Sequence, residues 1–247
     1  DQLGNAYRIL IPTTNSKFID KRALALNERL LARISFDLGD QEKAVEWLVL
    51  STRHFNEAGL PKSIGVNLKL EGRNYMNNHN YGEAKDAFKA AEKIFIQQND
   101  KLELFYIYIN FIDFYVRTND LKHARFYANK CLVQCSEVVD NMMRSLVYNN
   151  LGEIEMKTGN LTAAIIQFNK TLQIKENYQN ANIRRAVAHL KLSEIYLTEK
   201  LFKDAIYHAK EARNSLPASN NNELKNNIIK TLAKSEYCAG NITNACQ

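Results

Sequence analysis

The 247-residue sequence contains few residues that break regular structure, with nine glycines and three prolines. Because these two types make up roughly 12% of an average protein, their scarcity argues against collagen-like, low-complexity and turn-rich all-β designs. The four cysteines are too few for a scaffold built on disulfides. No apolar run reaches the roughly 18 residues of a membrane helix, since the best candidate, 102–116, contains Glu103, Asn110 and Asp113.

Motifs that carry chemistry are also missing. The glycines form neither GxGxxG nor a phosphate loop, and neither HExxH nor CxxC occurs. The five histidines share no repeated position, so a convergent catalytic site is not expected. Cys131 and Cys135 lie one helical turn apart, which leaves a metal or redox pair open beside simple packing; packing is favoured because small residues occupy the equivalent positions of Cys131. We therefore predict no enzyme activity, no cofactor and no metal.

The compartment stays open at this stage. The chain begins at Asp1 without a basic-then-apolar leader, which favours the cytoplasm but leaves the periplasm open if a signal was removed. The formal net charge of +6 is only a weak pointer to nucleic acid or an anionic membrane.

An internal repeat dominates the sequence. One column of alanines recurs at steps of 40, 40, 40, 41 and 40 residues: Ala44, Ala84, Ala124, Ala164, Ala205 and Ala245. We number the other columns from this alanine. Seven residues after it (+7) the residues are all small, namely Ser51, Ala91, Cys131, Thr171 and Ala212, whereas position +4 holds Leu48, Phe88, Ala128, Phe168 and Ala209.

Each repeat has the pattern of two helices. The fourth repeat shows apolar residues at steps of three and four over 145–157 and again from Leu161 to Leu172, with Thr158-Gly159-Asn160 between them. Similar interruptions recur as Gly39-Asp40, His79-Asn80, Asn119-Asp120 and Gly240-Asn241, and only the fifth repeat, with Lys200-Leu201, departs. Turns between repeats are predicted at 57–63, 97–101 and 216–223.

Small residues should mark where the two helices of a repeat cross. Antiparallel helices that pack closely need a small side chain at the crossing, and the alanine column supplies it on the second helix. Position −12 supplies it on the first helix, where Ile112 is the exception and should spread the third pair slightly: Ala32, Gly72, Ile112, Gly152, Ser193 and Ala233.

These columns resemble the tetratricopeptide repeat family. The small residue on the first helix, the tyrosine three later, the alanine on the second helix and the phenylalanine four after it match that family's pattern. The resemblance implies an all-α, right-handed superhelical solenoid of antiparallel helix pairs. It departs in its 40-residue period, as in longer-helix variants, and in having a closing proline only at Pro217.

The resemblance also sets the expected domain organisation. Residues 1–24 form an N-terminal flank or partial cap, and residues 25–247 form five full repeats with a truncated sixth. The repeats are expected to start near 25, 65, 105, 145, 186 and 226. Because the chain stops two residues after Ala245, we expect a piece of a longer protein.

In the resembling family the first helices line a concave groove that holds the ligand. The family's carboxylate clamp is matched only at Lys69 and Asn110, so a chaperone-tail receptor is not expected. The expected groove residues, taken mainly from positions −11, −14 and −15, are Arg29, Arg33, Lys69, Arg73, Asn77, Tyr106, Asn110, Asp113, Asn149, Asn150, Glu153 and Glu194.

Two features of this groove suggest how a ligand would bind. Asn110 and Asn150 share a column and resemble the asparagine ladder with which some long-repeat relatives hold a peptide backbone. Charges of one sign are grouped together, with basic residues in the first two repeats and Asp113, Glu153 and Glu194 in the next three. This grouping would orient a ligand that has one acidic and one basic end.

The sequence therefore predicts a protein- or peptide-binding repeat domain, the interaction or sensing region of a larger regulatory protein, with a bacterial transcriptional or signalling protein as one form. The alternative is a helical-repeat protein that binds nucleic acid. Acidic residues interrupt the basic stripe that this alternative would need.

Overall fold

A computed structural model describes residues 20–174, 179–216 and 222–240, together with the single positions Gly4, Arg8 and Ile11. Eleven helices and no strand occur within the three described ranges, which confirms the all-α prediction. The helices are α1 (Lys21–Asp37), α2 (Gln41–Glu57), α3 (Pro61–Asn77), α4 (Tyr81–Gln97), α5 (Lys101–Arg117), α6 (Leu121–Gln134), α7 (Asn141–Lys157), α8 (Leu161–Gln173), α9 (Gln179–Thr198), α10 (Phe202–Ser215) and α11 (Asn222–Cys238).

The chain forms two compact units, Asp1–Thr118 and Asn119–Gln247. In unit 1 each of α1 to α4 packs against the next helix, and α3 also contacts α5. In unit 2 the same serial packing runs from α6 to α11, and α9 additionally contacts α7 and α11. Within each unit, first helices of successive repeats therefore touch one another, as α3 does α5, α7 does α9 and α9 does α11, while second helices fill the other layer.

The helix termini follow from the interrupting residues. Gly39 and Gly159 end their helices with φ of 81° and 78°, and the next residue caps the following helix. Asp40 accepts a hydrogen bond from the Lys43 backbone N–H at 3.2 Å, and Asn160 accepts one from Ala163 at 3.3 Å. A Gly-Asp or Gly-Asn pair thus both stops one helix and starts the next.

The first helices begin about four residues earlier than the expected repeat starts. The sequence predicts a turn at Pro61, but this residue opens α3, because proline has no N–H to leave unbonded and its fixed φ suits the first helical turn. The linkers therefore shorten to three residues, as at Ala58-Gly59-Leu60. The predicted closing segment around Pro217 and the final alanine, Ala245, lie outside the described residues.

The small residues do lie at the helix crossings. Five alanines of the column, Ala44 to Ala205, are fully buried. A Cβ atom at Gly72 would lie 2.5 Å from Cδ1 of Phe88, and one at Gly152 would lie 2.5 Å from Cε1 of Phe168. The sequence predicts that position −12 lies against the alanine column. In these two repeats the glycine at −12 also makes room for the phenylalanine ring at +4.

The hydroxyls of the +7 column have a further role. Ser51 Oγ donates to the carbonyl oxygen of Ala25 at 2.7 Å, and Thr171 Oγ1 donates to that of Ser145 at 3.2 Å. Both bonds run from a second helix to position −19 of its own repeat and are buried. A small residue at +7 therefore allows close packing, and a hydroxyl there also joins the two helices.

The crossing predicts a clear asymmetry between two glycines. Gly152→Ala should lower the free energy of unfolding by about 1–3 kcal/mol, because its methyl group cannot fit against Phe168. Gly82→Ala, on α4 with no atom within 4 Å of the added Cβ, should be neutral or stabilising by up to about 1 kcal/mol. Urea unfolding of both variants measures this, and equal effects would contradict the close contact.

The fifth repeat is not a departure in geometry. Lys200 has φ of 61°, in the left-handed region taken by glycine at Gly159. Lys200→Gly should therefore raise the free energy of unfolding by roughly 0.5–1 kcal/mol. The matched change Lys93→Gly inside α4 should lower it by about 1 kcal/mol, and a loss at both positions would show that Lys200 is not strained.

Candidate functional site

A depression in unit 1 brings together three of the expected groove residues. It measures about 460 Å³ and lies between α1 and α3 at the start of α2. Arg33, Arg73 and Asn77 line it and are all exposed. The remaining lining residues are Phe36, Asp37, Gln41, Leu70 and Asn74.

The rim of this depression is built from amides. Gln41 Nε2 donates to Asn78 Oδ1 at 2.5 Å, which joins the start of α2 to the end of α3. Asn78 Nδ2 lies 3.4 Å from Asn74 Oδ1. Neither Arg33 nor Arg73 forms an ion pair with any residue in the described ranges. The depression thus offers two guanidinium groups with their donors available, in a geometry suited to carboxylate or phosphate oxygens.

Arg29, expected in the groove, instead connects two repeats. Its Nε donates to Asn67 Oδ1 at 2.6 Å, and its Nη2 donates to the Ser63 carbonyl oxygen at 2.9 Å. The guanidinium also stacks 4.4 Å from the centre of the Phe55 ring. Burial lowers the pKa of Arg29 to about 10, with the Glu103 carboxylate opposing that fall.

Lys69 occupies the same column and makes an equivalent contact. Its Nζ lies 2.5 Å from Glu103 Oε2 and 5.3 Å from the centre of the Tyr106 ring. The Lys69 and Glu103 side chains are only 14% and 18% exposed. Tyr106, expected to touch ligand, is 42% exposed and packs against Phe105 as well as Lys69.

Asn149 extends the pattern into unit 2. It is buried, and its Nδ2 donates to the Arg184 carbonyl oxygen at 3.0 Å. Its Oδ1 has no hydrogen-bond partner in the described part of the chain. Three members of position −15 therefore contact the beginning of the next first helix, at position −21: Arg29 with Ser63, Lys69 with Glu103, and Asn149 with Arg184.

The acidic members of the expected groove have basic neighbours of their own. Asp113 pairs with Arg117 at 2.9 Å, and Glu194 pairs with Lys191 at 3.0 Å. Glu153 lines a small cavity of about 220 Å³ with Lys157 and Lys191. These pairs reduce the negative charge that the column offers to a ligand.

The asparagine ladder stays a prediction. Asn110 and Asn150 are both half-buried, and they lie in unit 1 and unit 2 respectively.

One cluster has no counterpart among the expected site residues. His189 Nδ1 lies 2.9 Å from His208 Nδ1, and the Tyr196 ring stacks on His208 with centres 5.3 Å apart. Burial lowers the pKa of His189 to about 4, aided by the positive charges of His208 and Arg185. Column spacing gave no signal for this pair, because the two histidines occupy unrelated positions on α9 and α10.

Other chemistry has little support in the described ranges. No group of three or more histidine, cysteine or acidic side chains there could hold a metal ion. Cys131 and Cys135 are fully buried, and burial raises the pKa of the Cys131 thiol. A search of those same ranges finds no helix with the length and apolar character needed to cross a membrane.

Comparisons with known proteins agree with this fold. Residues 143–218 match the tetratricopeptide repeat family model. A search of curated proteins gave no match. The sequence columns, the helix pairs and this match together support a tetratricopeptide repeat domain, a class that typically serves protein interaction or sensing.

Three solved structures share the architecture at low sequence identity. BtubC (BKLC) from P. vanneervenii superimposes with a TM-score of 0.73 and 16% identity, covering 87% of this chain and 88% of that one. A signal transduction ATPase with a tetratricopeptide repeat sensor from Pyrococcus horikoshii gives 0.73 and 17%, covering 98% of this chain and 37% of that one. The Cut9–Hcn1 hetero-tetramer of the APC/C gives 0.62 and 17%, covering 93% and 39%. These likenesses indicate a helical solenoid fold.

Lys69 and Arg73, one from each basic column, should respond differently to replacement by methionine. Lys69→Met should cost about 1–3 kcal/mol of unfolding free energy, because it leaves the largely buried Glu103 carboxylate without its partner. Arg73→Met, one turn further along the same helix, should change it by no more than about 0.5 kcal/mol. Urea unfolding measures both, and equal losses would show that Lys69 is not a structural tie.

Proposed function

We propose that this chain is a non-catalytic protein- or peptide-binding domain of the long, 40-residue repeat variant. Most of its helices have 17 residues, and linkers of three residues between them account for a half-repeat of 20. The match to the repeat model and the paired helices support a binding scaffold.

The depression at Arg33, Arg73 and Asn77 is the proposed seat for an acidic residue of the partner. Two exposed guanidinium groups on successive first helices carry this proposal. Each offers a planar fork that can donate two parallel hydrogen bonds to a carboxylate. Asn77 adds a carboxamide, which can pair with the partner's backbone.

Fewer charged groove residues are available to orient a ligand than the sequence alone predicts. Arg29 and Lys69 are used between repeats, so the basic end of the groove reduces to Arg33 and Arg73. Asp113 and Glu194 have basic neighbours, so a basic end of the partner gains less from them. We therefore propose that the acidic end of the partner, seated in unit 1, determines its orientation.

We further propose that this chain is one region of a larger regulatory protein. The Pyrococcus horikoshii protein is described as having a tetratricopeptide repeat sensor, and this chain spans 37% of it. By analogy, this chain would serve as the sensing or interaction region of a longer chain. A signalling protein is the form that this analogy favours, whereas a bacterial transcriptional protein stays a prediction from the sequence.

Charge reversal tests the seat. A fluorescein-labelled hexapeptide with two adjacent glutamates should bind the chain, and Arg33→Glu with Arg73→Glu should weaken that binding at least tenfold. Association should also become slower and should no longer be slowed further by added salt, because the charges that steer the acidic peptide have been reversed. Fluorescence anisotropy and stopped-flow mixing at several salt concentrations measure affinity and rate.

The matched control reverses Lys89 and Lys93, two exposed lysines on α4, and so changes net charge equally. Equal weakening by both double variants would remove the depression from the proposal and leave only net charge. Tighter, steeply salt-dependent binding of generic RNA would favour the nucleic-acid alternative instead.

A further inference from the structure

The second helices of unit 2 carry an unusual surface on their outer layer. α6, α8 and α10 each pack against first helices, while α7, α9 and α11 contact one another in series. The second helices thus keep one face turned away from the first-helix layer. We call this surface the outer face and define it by Lys122, Phe126, Lys130, Ile166, Lys170, Lys203 and Tyr207.

One apolar side chain per helix is exposed on the outer face. Phe126, Ile166 and Tyr207 are 53%, 50% and 58% exposed. All three occupy position +2 of their repeats. The same position in unit 1 holds Glu46 and Asp86, so the column changes from acidic to apolar between the units. Single exposed apolar residues are ordinary, but three in one column are not explained by the core.

Lysines flank these apolar residues along each helix. Lys122 and Lys203 lie four residues before Phe126 and Tyr207, one helical turn away. Lys130, Lys170 and Lys210 lie three or four residues after the apolar residue of their helix. The Lys130 ammonium lies 5.5 Å from the centre of the Phe126 ring, so charge and apolar surface form one patch.

The charge balance of the two sets of second helices differs. In α2 and α4 of unit 1, five basic side chains accompany six acidic ones. In α6, α8 and α10, seven basic side chains accompany only Asp204 and Glu211. First-helix carboxylates pair with two of the seven, at Arg125–Glu155 and Lys210–Glu236. The outer face therefore keeps a positive surplus directed away from the core.

We propose that the outer face docks a protein segment that alternates acidic and apolar side chains. The lysines complement the acidic groups, and each exposed apolar residue offers one contact to an apolar side chain of the segment. This surface is separate from the depression in unit 1, so the proposal does not depend on the function proposed above.

Two other classes of partner fit the outer face less well. A single-stranded nucleic acid would stack its bases on a row of rings; Phe126 and Tyr207 offer rings, but Ile166 on the helix between them interrupts the row. An anionic membrane would be repelled by Asp204 and Glu211, which alternate with the lysines of α10, whereas a protein segment can place its own basic or neutral side chains opposite them.

Binding of designed peptides to the whole chain tests the proposal. One fluorescein-labelled 20-residue peptide alternates glutamate with leucine, and a second replaces every leucine by serine at the same charge. The first should bind at least tenfold more tightly. The triple variant Phe126→Ser, Ile166→Ser, Tyr207→Ser should remove that preference, because it deletes the apolar contacts and keeps every lysine.

Control variants separate this surface from general effects. Val49→Ser with Ile96→Ser removes apolar residues that are 53% and 56% exposed on the second helices of unit 1, and should leave binding unchanged. The Arg33→Glu, Arg73→Glu variant should also keep the preference for leucine, so failure of the unit 1 seat is distinguished from failure of this proposal.

Three outcomes would overturn the proposal. Equal affinity for the two peptides would show that charge accounts for the binding and that the apolar side chains contribute nothing. If Val49→Ser with Ile96→Ser removed the leucine preference as fully as the triple variant does, the apolar contact would not be specific to the outer face. Tighter binding of oligouridine, or of vesicles containing 30% phosphatidylserine, than of the glutamate–leucine peptide would assign the outer face to RNA or lipid.

Discussion

Close approach of the two helices at their crossing is the constraint on which the repeats depend, and in the second and fourth repeats it is made by a glycine against a phenylalanine ring. At Gly72 and Gly152 the ring of Phe88 or Phe168 occupies the space of the missing side chain. Removing that space would force two 8–10 Å-spaced helices apart and shift every later contact of the pair. The Thr171 hydroxyl adds a polar connection in the fourth repeat by donating to the Ser145 carbonyl, and the Ser51 hydroxyl joins the helices of the first repeat in the same way.

Contacts between successive first helices build the inner layer on this base. Arg29, Lys69 and Asn149 use different chemistry at one position: a guanidinium to a carbonyl, an ammonium to a carboxylate, and an amide to a carbonyl. Each reaches the beginning of the next first helix. Because these side chains are occupied, the basic first-helix residues that stay available in the unit 1 depression are Arg33 and Arg73, one turn further along.

Basic charge is thus divided between two kinds of surface. In unit 1 it stands on first helices, around a depression rich in amides. In unit 2 it stands on second helices, between exposed apolar side chains. An amide-lined depression suits an oxyanion and a backbone, whereas lysines around Phe126 and Tyr207 suit an amphipathic segment. The modest net charge of the whole chain does not reveal this division.

The sequence by itself determined the helix pairs, because the alanine column and the Gly-Asp or Gly-Asn pairs act through local rules of packing, termination and capping. Sequence reasoning was wrong at two positions. It placed Pro61 in a turn, whereas this proline opens a helix, and it treated Lys200 as a departure from the repeat, whereas this lysine adopts the left-handed conformation that glycine has elsewhere. Only the tertiary structure decided which basic residues are available. Arg29 and Arg33 look alike in sequence, but just one has Ser63 and Asn67 of the next repeat within reach. The same holds for His189 and His208, since two helices must pack before their rings can meet.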